Sequence, residues 1–243
     1  MRLTAEQIYE KLLNEDKILT VKGQIKFFLG NVDIVVTQKD VVGNIMQEWL
    51  EGWLKKNEIE YLPSTNPQMP PDFYLNPDNK QENLLEVKAF NYKVSPGFDI
   101  ADFNAFQQEV VREPYMLNVQ YLIFGYEMSD DGVVTIKKIW LKKLWEITRP
   151  MKTWPLNLQI KRNVVHKIRP AKWYANRGTF KTFECLEDFL AALEECIYKN
   201  PDTRHNAADW ETKMINSFKS FYNKELRIPR WYDIRDKYIL KKP

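Results

Sequence analysis

The run LLEVKAF, residues 84–90, constrains this chain more than any other stretch. Its aliphatic residues read as a buried core strand, yet Glu86 and Lys88 interrupt it two positions apart. Side chains two apart on a strand share a face, so both charges point the same way. Upstream, PDFYL (71–75) is a second short strand-like run, and the Pro/Asn-rich NPDNKQEN (76–83) between them reads as a turn. If 72–75 and 84–90 pair as an antiparallel hairpin turning near residue 79, Asp72 falls opposite Glu86. Opposed side chains on one face have Cβ atoms about 5 Å apart.

Two carboxylates and one ammonium thus converge beside Leu85, Val87 and Ala89. Facing acids repel unless a cation lies between them. A hard divalent ion such as Mg²⁺ binds through one or two carboxylates and completes its shell with water and phosphate oxygens. Such an ion activates water and shields charge at phosphorus. Lys88, kept cationic by the neighbouring carboxylates, is suited to orient the attacking water or stabilise a pentacovalent phosphate. The group suits metal-assisted hydrolysis of a phosphodiester.

An acid and a lysine two residues apart also occur at Glu15/Lys17, Asp78/Lys80 and Glu211/Lys213. Glu211 and Lys213 lie in a segment of helical period, where they diverge by about 200° around the axis. Asp78 and Lys80 belong to the polar turn, and Glu15 and Lys17 to the end of a helix. Only Glu86 and Lys88 interrupt a strand with a Pro-Asp upstream at hairpin distance.

The order of elements is that of an α/β or α+β domain with a mixed central sheet. The pattern predicts helices over 4–15, 40–56, 99–112, 141–147, 186–199 and 206–222. Strands are expected at 18–21, 25–29, 32–36, 59–62, 72–75, 84–90, 119–127, 133–139, 156–160 and 163–168. In the long helix Asp40 is the expected cap, and Val42, Ile45, Met46, Trp49, Leu50, Trp53 and Leu54 make the apolar face. Thr4 and Gln7 have the spacing of a capping box. No repeat, low-complexity tract or long linker divides residues 1–243, so one domain is expected. Its catalytic core covers about 38–140, and its recognition and C-terminal helical part about 150–243.

Apolar residues are 44% of the chain and no 18-residue apolar stretch occurs, which argues against a membrane span. The first helix lacks the apolar core of a signal peptide, so a cytoplasmic protein is expected. Cys185 and Cys196 are eleven residues apart on one predicted helix, roughly 16 Å, too far for a disulfide. With only His166 and His205, a zinc site or histidine triad has little material. Residues 137–181 hold thirteen Lys and Arg against one acid, Glu146, with tryptophans interleaved. Such a stripe fits a polyanion such as nucleic acid.

Pro71-Asp72, with Glu86-Val87-Lys88 beginning fourteen positions after the aspartate and an acid-bearing helix upstream, resembles the PD-(D/E)XK nuclease superfamily. More narrowly, the chain resembles type II restriction endonucleases of the EcoRV-like branch, and within it is most similar to the NlaIV/NgoBV group. The resemblance covers most of the chain. It implies a Mg²⁺-dependent, sequence-specific endodeoxyribonuclease, acting as a homodimer on a palindrome of double-stranded DNA. It further implies a six-base-pair palindrome, GGNNCC, cut bluntly at its centre, and a separate DNA methyltransferase that protects the host.

Carried over by position, the resemblance makes Asp72 and Glu86 the metal-binding carboxylates and Lys88 the catalytic lysine. Glu stands where this branch often has Asp, and the longer side chain still permits ligation. Glu48 on the long helix lies where the branch can place an additional catalytic acid, with Gln47 competing for that place. The loop STNPQM (64–69), with Asn66 and Gln68, matches the one that touches the minor groove and backbone. WYANRGTFK (173–181) matches the loop that reads base edges, through Asn176, Arg177, Gly178 and Lys181. Arginine binds guanine O6 and N7 in bidentate fashion, and glycine permits close approach. A structure-specific repair or junction nuclease of the same fold, or a non-catalytic DNA-binding module, is the alternative.

Overall fold

A computed structural model describes residues 1–65, 69–175 and 177–240. Helix α1 (Ala5–Glu10) passes into a π-helical turn at Lys11–Glu15, and strands β1 (Lys22–Gln24), β2 (Lys26–Leu29) and β3 (Val32–Val35) follow. Helix α2 (Val41–Lys56) leads to β4 (Leu62–Pro63), β5 (Phe73–Tyr74) and β6 (Leu84–Asn91). Next come β7 (Ala101–Asp102), α3 (Phe103–Arg112), β8 (Gln120–Met128), β9 (Val133–Lys143) and α4 (Leu144–Ile147). The chain closes with β10 (Leu158–Lys161), β11 (Val164–Ile168), α5 (Leu186–Lys199), α6 (Ala207–Tyr222) and α7 (Trp231–Ile234).

Two compact units form. The first comprises Met1–Thr65, Pro71–Phe98 and Gln120–Lys142; the second is built on Asp99–Val119 and the chain from Lys143. The first unit holds a six-stranded sheet of order β1-β9-β8-β6-β5-β4. Its central pair, β6 and β8, is parallel, with Glu86 beside Tyr121 and Lys88 beside Ile123. The strands around them are antiparallel, so the sheet is mixed, as the order of elements predicts. Central strands need apolar residues on both faces, and on β8 Tyr121, Leu122, Ile123 and Phe124 are all buried.

Helix α2 covers one face of this sheet. Its Val42, Met46, Leu50, Trp53 and Leu54 share a core with Leu85, Val87, Leu122 and Phe124. Because strand side chains alternate, Glu86 and Lys88 point to the opposite face. At the first helix Thr4 caps as predicted, with its hydroxyl accepting from the Gln7 N–H and the Gln7 side chain accepting from the Thr4 N–H. Asp40 does not cap α2: it stands at the N-cap position in a helical conformation, without a side-chain hydrogen bond to the helix.

Two expected strands differ. Residues 18–20 form a turn instead, closed by the Thr20 N–H on the Lys17 carbonyl at 2.8 Å, with Lys17 at φ 51°. Residues 59–61 finish the end of α2, where Ile59 donates to the Leu54 carbonyl at 3.0 Å after Glu58 turns left-handed. Strands β2 and β3 form a separate two-stranded sheet whose large apolar side chains are exposed.

In the second unit, β10, β11 and β7 form a three-stranded sheet. Asp102 ends β7 and caps α3, its carboxylate accepting from the Ala105 N–H at 3.0 Å. Ile100 and Ala101 are held in extended form against Ile168, so the helix expected at 99–112 begins only at Phe103. Phe106 meets Phe189 edge-on, and the Trp210 indole donates to the Gln107 carbonyl at 2.7 Å, which joins α3, α5 and α6. Helix α7 had no signal in the sequence. Trp231 and Tyr238 pack on Phe183, and the buried Asp188 accepts from the Tyr238 hydroxyl and pairs with Lys237.

Candidate active site

The hairpin of β5 and β6 has the register expected from the sequence. Phe73 pairs with Leu85 and Tyr74 with Leu84, which sets Asp72 one step beyond the last ladder pair, next to Glu86. There the backbone turns its side chain into the neighbouring strand. The Asp72 N–H donates to the Leu85 carbonyl at 3.1 Å, and its carboxylate accepts from the Val87 N–H at 2.8 Å. A backbone donor thus holds one oxygen of the aspartate against the strand that carries Glu86 and Lys88.

Glu86 is buried, with 5% of its surface exposed. One of its oxygens meets the Lys88 ammonium at 2.6 Å; the other, Oε2, is buried without a hydrogen-bond partner. Burial pushes the Glu86 carboxyl up to about 7; the Lys88 charge opposes this shift and the Asp72 charge adds to it. Asp72 is raised too, chiefly by burial, against the Val87 N–H and Lys88. The residue that sequence reasoning missed is Tyr121, the register neighbour of Glu86 on β8. It is fully buried, and burial, then Glu86 and Asp72, drive its hydroxyl well above the ordinary range. Its signal was hidden because a tyrosine in an apolar strand reads as core.

These groups fit a divalent cation. A buried carboxylate oxygen with no donor costs free energy, and a cation beside Asp72 and Glu86 removes that cost. Among the described residues no cluster of three or more His, Cys, Asp or Glu side chains occurs to cage an ion alone. Two carboxylates are enough for a hard divalent ion that takes its other ligands from water and phosphate. Glu48 is not brought to this cluster. Both Gln47 and Glu48 are exposed on α2, which packs on the Leu85–Val87 side of the sheet, while Glu86 and Lys88 face away from it.

The sequence model of the NgoBV restriction endonuclease family matches residues 2–238. The chain belongs to this family. Type II restriction enzyme NlaIV of Neisseria lactamica is 60% identical over 242 residues, 99% of this chain and 100% of that protein. Type II restriction enzyme NgoBV of Neisseria gonorrhoeae is 57% identical over 162 residues, 67% of this chain and 92% of that protein. The solved structure of the NlaIV restriction endonuclease superposes with a TM-score of 0.95 at 60% identity, covering 98% of this chain and 97% of that one. The mixed sheet flanked by helices is therefore the restriction-endonuclease fold of the PD-(D/E)XK type, as the motif implied.

In this member of the NgoBV family the late loop is propped from beneath. The Arg149 guanidinium donates to the Phe180 carbonyl at 3.1 Å and to the Arg177 carbonyl at 3.5 Å. Gly178 sits at φ 136°, a conformation that other residues rarely adopt, and a Cβ there would fall 2.5 Å from the Arg149 guanidinium, which would have to shift. Arg177 is exposed. Lys181 is already engaged: its ammonium pairs with Glu184 and lies 5.7 Å from the Tyr238 ring. Asn66, Gln68 and Asn176 lie outside the described residues.

Proposed function

We propose that this NgoBV-family chain is a Mg²⁺-dependent type II restriction endonuclease that hydrolyses phosphodiester bonds of double-stranded DNA at a short palindrome. The carrying observation is the orphaned, buried Oε2 of Glu86 beside Asp72 and the Lys88 ammonium. Asp72 and Glu86 hold the cation. When bound, it supplies Lewis acidity, which polarises water and offsets charge on the scissile phosphate. Lys88 positions the attacking water and stabilises the negative charge that builds on the phosphate oxygens. The Val87 N–H keeps Asp72 turned toward this point throughout.

Recognition falls to two loops, residues 64–69 and 173–181. Arg177, with Asn176, reads base edges in the major groove, with Gly178 allowing close approach and Lys181 steadying the loop base; Asn66 and Gln68 touch the minor groove and backbone. The site read is GGNNCC, cut bluntly at its centre. A palindrome presents two equivalent strands, which a homodimer with two active sites serves by symmetry. A separate methyltransferase marks the same site on the host DNA, and the enzyme acts in the cytoplasm. The similarity to NlaIV over nearly the whole chain, and to NgoBV over two thirds of it, supports the restriction reading over that of a repair nuclease.

Digestion of a sequenced plasmid with Mg²⁺, followed by mapping of the ends, tests activity, site and stagger together. Discrete fragments with blunt ends inside GGNNCC are expected. Binding without cleavage overturns the catalytic reading, and cleavage only of branched substrates replaces it with a structure-specific nuclease.

A further inference from the structure

Residues 177–181 form neither helix nor strand, yet their backbone is held from two sides. From one side the Arg149 guanidinium takes the carbonyls of Arg177 and Phe180. From the other comes the segment Trp231–Leu240. Phe180 and Ile239 form an antiparallel bridge. Flanking that bridge, the Lys181 N–H donates to the Tyr238 carbonyl at 3.0 Å, and the Leu240 N–H donates to the Thr179 carbonyl at 2.9 Å. The backbone next to Arg177 is therefore fixed by residues some sixty positions later in the chain.

That segment is itself pegged. It consists of α7, a 3₁₀ turn at Arg235–Tyr238 and the two bridging residues, and Tyr238 is its only buried member. Trp231 and Tyr238 are seven positions apart, two helical turns, so both rings face Phe183, with centroids 6.2 and 5.0 Å from it. The Tyr238 hydroxyl donates to the Asp188 carboxylate and accepts from the Glu184 N–H at 3.4 Å. Asp188 is buried on α5, where a carboxylate needs partners, and Lys237 supplies a second one. Ile239 is 47% exposed, so it contributes backbone and little packing. An exposed segment with one buried peg has little to add to a core. Its backbone reaches Thr179 and Lys181, and that contact is what the peg secures.

We propose that Trp231–Leu240 is a specificity brace, in which Tyr238 and Leu240 are positioning residues that hold Arg177 ready to meet a base edge. A bidentate contact to guanine fixes both the place and the angle of the guanidinium. Holding a side chain within about 0.5 Å of such a geometry takes a backbone that is already ordered. A loop that must be ordered on binding spends part of the contact's free energy on that ordering. The loss falls on the correct site, where the contact forms, and spares a wrong site, where it does not. Loosening the brace therefore narrows the gap between right and wrong sites without touching the chemistry at Asp72, Glu86 and Lys88. The proposal rests on the reading of 173–181 as the base-reading loop.

Leu240→Pro deletes the N–H that serves Thr179, and Ile239 before it, at φ −76° and ψ 120°, already has the conformation a residue before proline adopts. Leu240→Ala keeps the N–H, and Tyr238→Phe keeps the ring but loses the hydroxyl. The test measures kcat and KM of the full chain with Mg²⁺, on a duplex carrying the site mapped by plasmid digestion and on its single-base variants. Leu240→Pro should lower the ratio of kcat/KM between mapped and variant sites by about tenfold or more, through KM at the mapped site, with kcat there within about threefold. Tyr238→Phe should lower the ratio too, and Leu240→Ala should hold it within about twofold. Added to Arg177→Ala, Leu240→Pro should cost less than about twofold more, because both act on one contact. If Leu240→Pro and Tyr238→Phe keep the ratio while Arg177→Ala loses it, the brace is overturned and the loop reading survives. If Arg177→Ala keeps it, the loop reading fails and the brace with it. Equal losses in Leu240→Pro and Leu240→Ala, a fall in kcat alike on every duplex, or full additivity with Arg177→Ala would assign the segment to the fold and overturn the proposal.

Discussion

The Val87 N–H donates to the Asp72 carboxylate at 2.8 Å, so the residue between Glu86 and Lys88 anchors the acid of the neighbouring strand. Three charged groups therefore ride on one hydrogen-bonded ladder. Asp72→Asn keeps an oxygen acceptor for Val87 but removes the charge. Single-turnover cleavage with Mg²⁺ should fall by about 10² or more, while the midpoint of urea unfolding moves little. Near wild-type cleavage would take Asp72 out of the metal site.

Lys88 stands beside Glu86 at 2.6 Å. Lys88→Ala should abolish cleavage within the detection limit of a plasmid assay, a loss on the order of 10²–10³ or greater. Site-specific binding in Ca²⁺, read by gel shift, should stay within a few-fold. Parallel loss of binding and cleavage would mean that Lys88 serves the fold or the DNA backbone instead.

The raised Glu86 carboxyl predicts two opposite pH effects. Burial raises its folded value to about 7, well above the 4.5 of a glutamate in water. Between those values the folded protein holds a proton that the unfolded chain has released, so stability without divalent ions falls as pH rises through this window. The fall is at most about 3 kcal/mol. Divalent binding needs the ionised form, so affinity rises over the same window. Thermal unfolding from pH 5 to 8, with and without Mg²⁺, should show curves that diverge as pH increases; parallel curves would remove Glu86 from the ion's ligands.

Arg177→Ala should cost about 1–3 kcal/mol of discrimination between the cognate site and a single-base variant, with non-specific binding nearly unchanged. Arg149→Ala tests the prop beneath the same loop. It should weaken discrimination without touching a base, and cleavage competition between two duplexes measures both. Unchanged selectivity in Arg177→Ala would move the base-reading surface elsewhere.

Leu122 is fully buried in the core shared by α2, β6 and β8. Leu122→Ala should destabilise the protein by about 2–5 kcal/mol through lost burial and the cavity left behind. Chemical denaturation measures this directly. A cost under about 1 kcal/mol would mean that the core collapses around the gap.

The central hairpin was legible because two local rules agreed: alternation set the faces and the turn length set the register, so Asp72, Glu86 and Lys88 could be brought together from spacing alone. Helix α5 was legible for the same reason, with its bounds at 186–199 as expected. Glu48 was misleading because sequence shows that a helix carries an acid, not which face of a sheet the helix covers. That depends on a long-range packing choice made by Leu85, Val87 and Leu122. Tyr121 and Arg149 were missed for a related cause. Each matters through a neighbour distant in sequence, Glu86 in one case and the 177–180 backbone in the other. The bare apolar face of β2 and β3 was invisible too, since alternation announces a buried side but not what buries it.

Strand β6 finds its parallel neighbour β8 only after the chain has left for Asp99–Val119, a stretch of the other unit. During synthesis the strand carrying Glu86 and Lys88 therefore emerges with one flank unpaired, and the second unit is begun before the first can close. Neither unit is a contiguous piece that could be cut out and expressed alone. A ribosome stalled before residue 120 would hold a chain with Asp72, Glu86 and Lys88 made and their hairpin able to pair, but without the strand that sets Tyr121 beside Glu86 and closes the sheet.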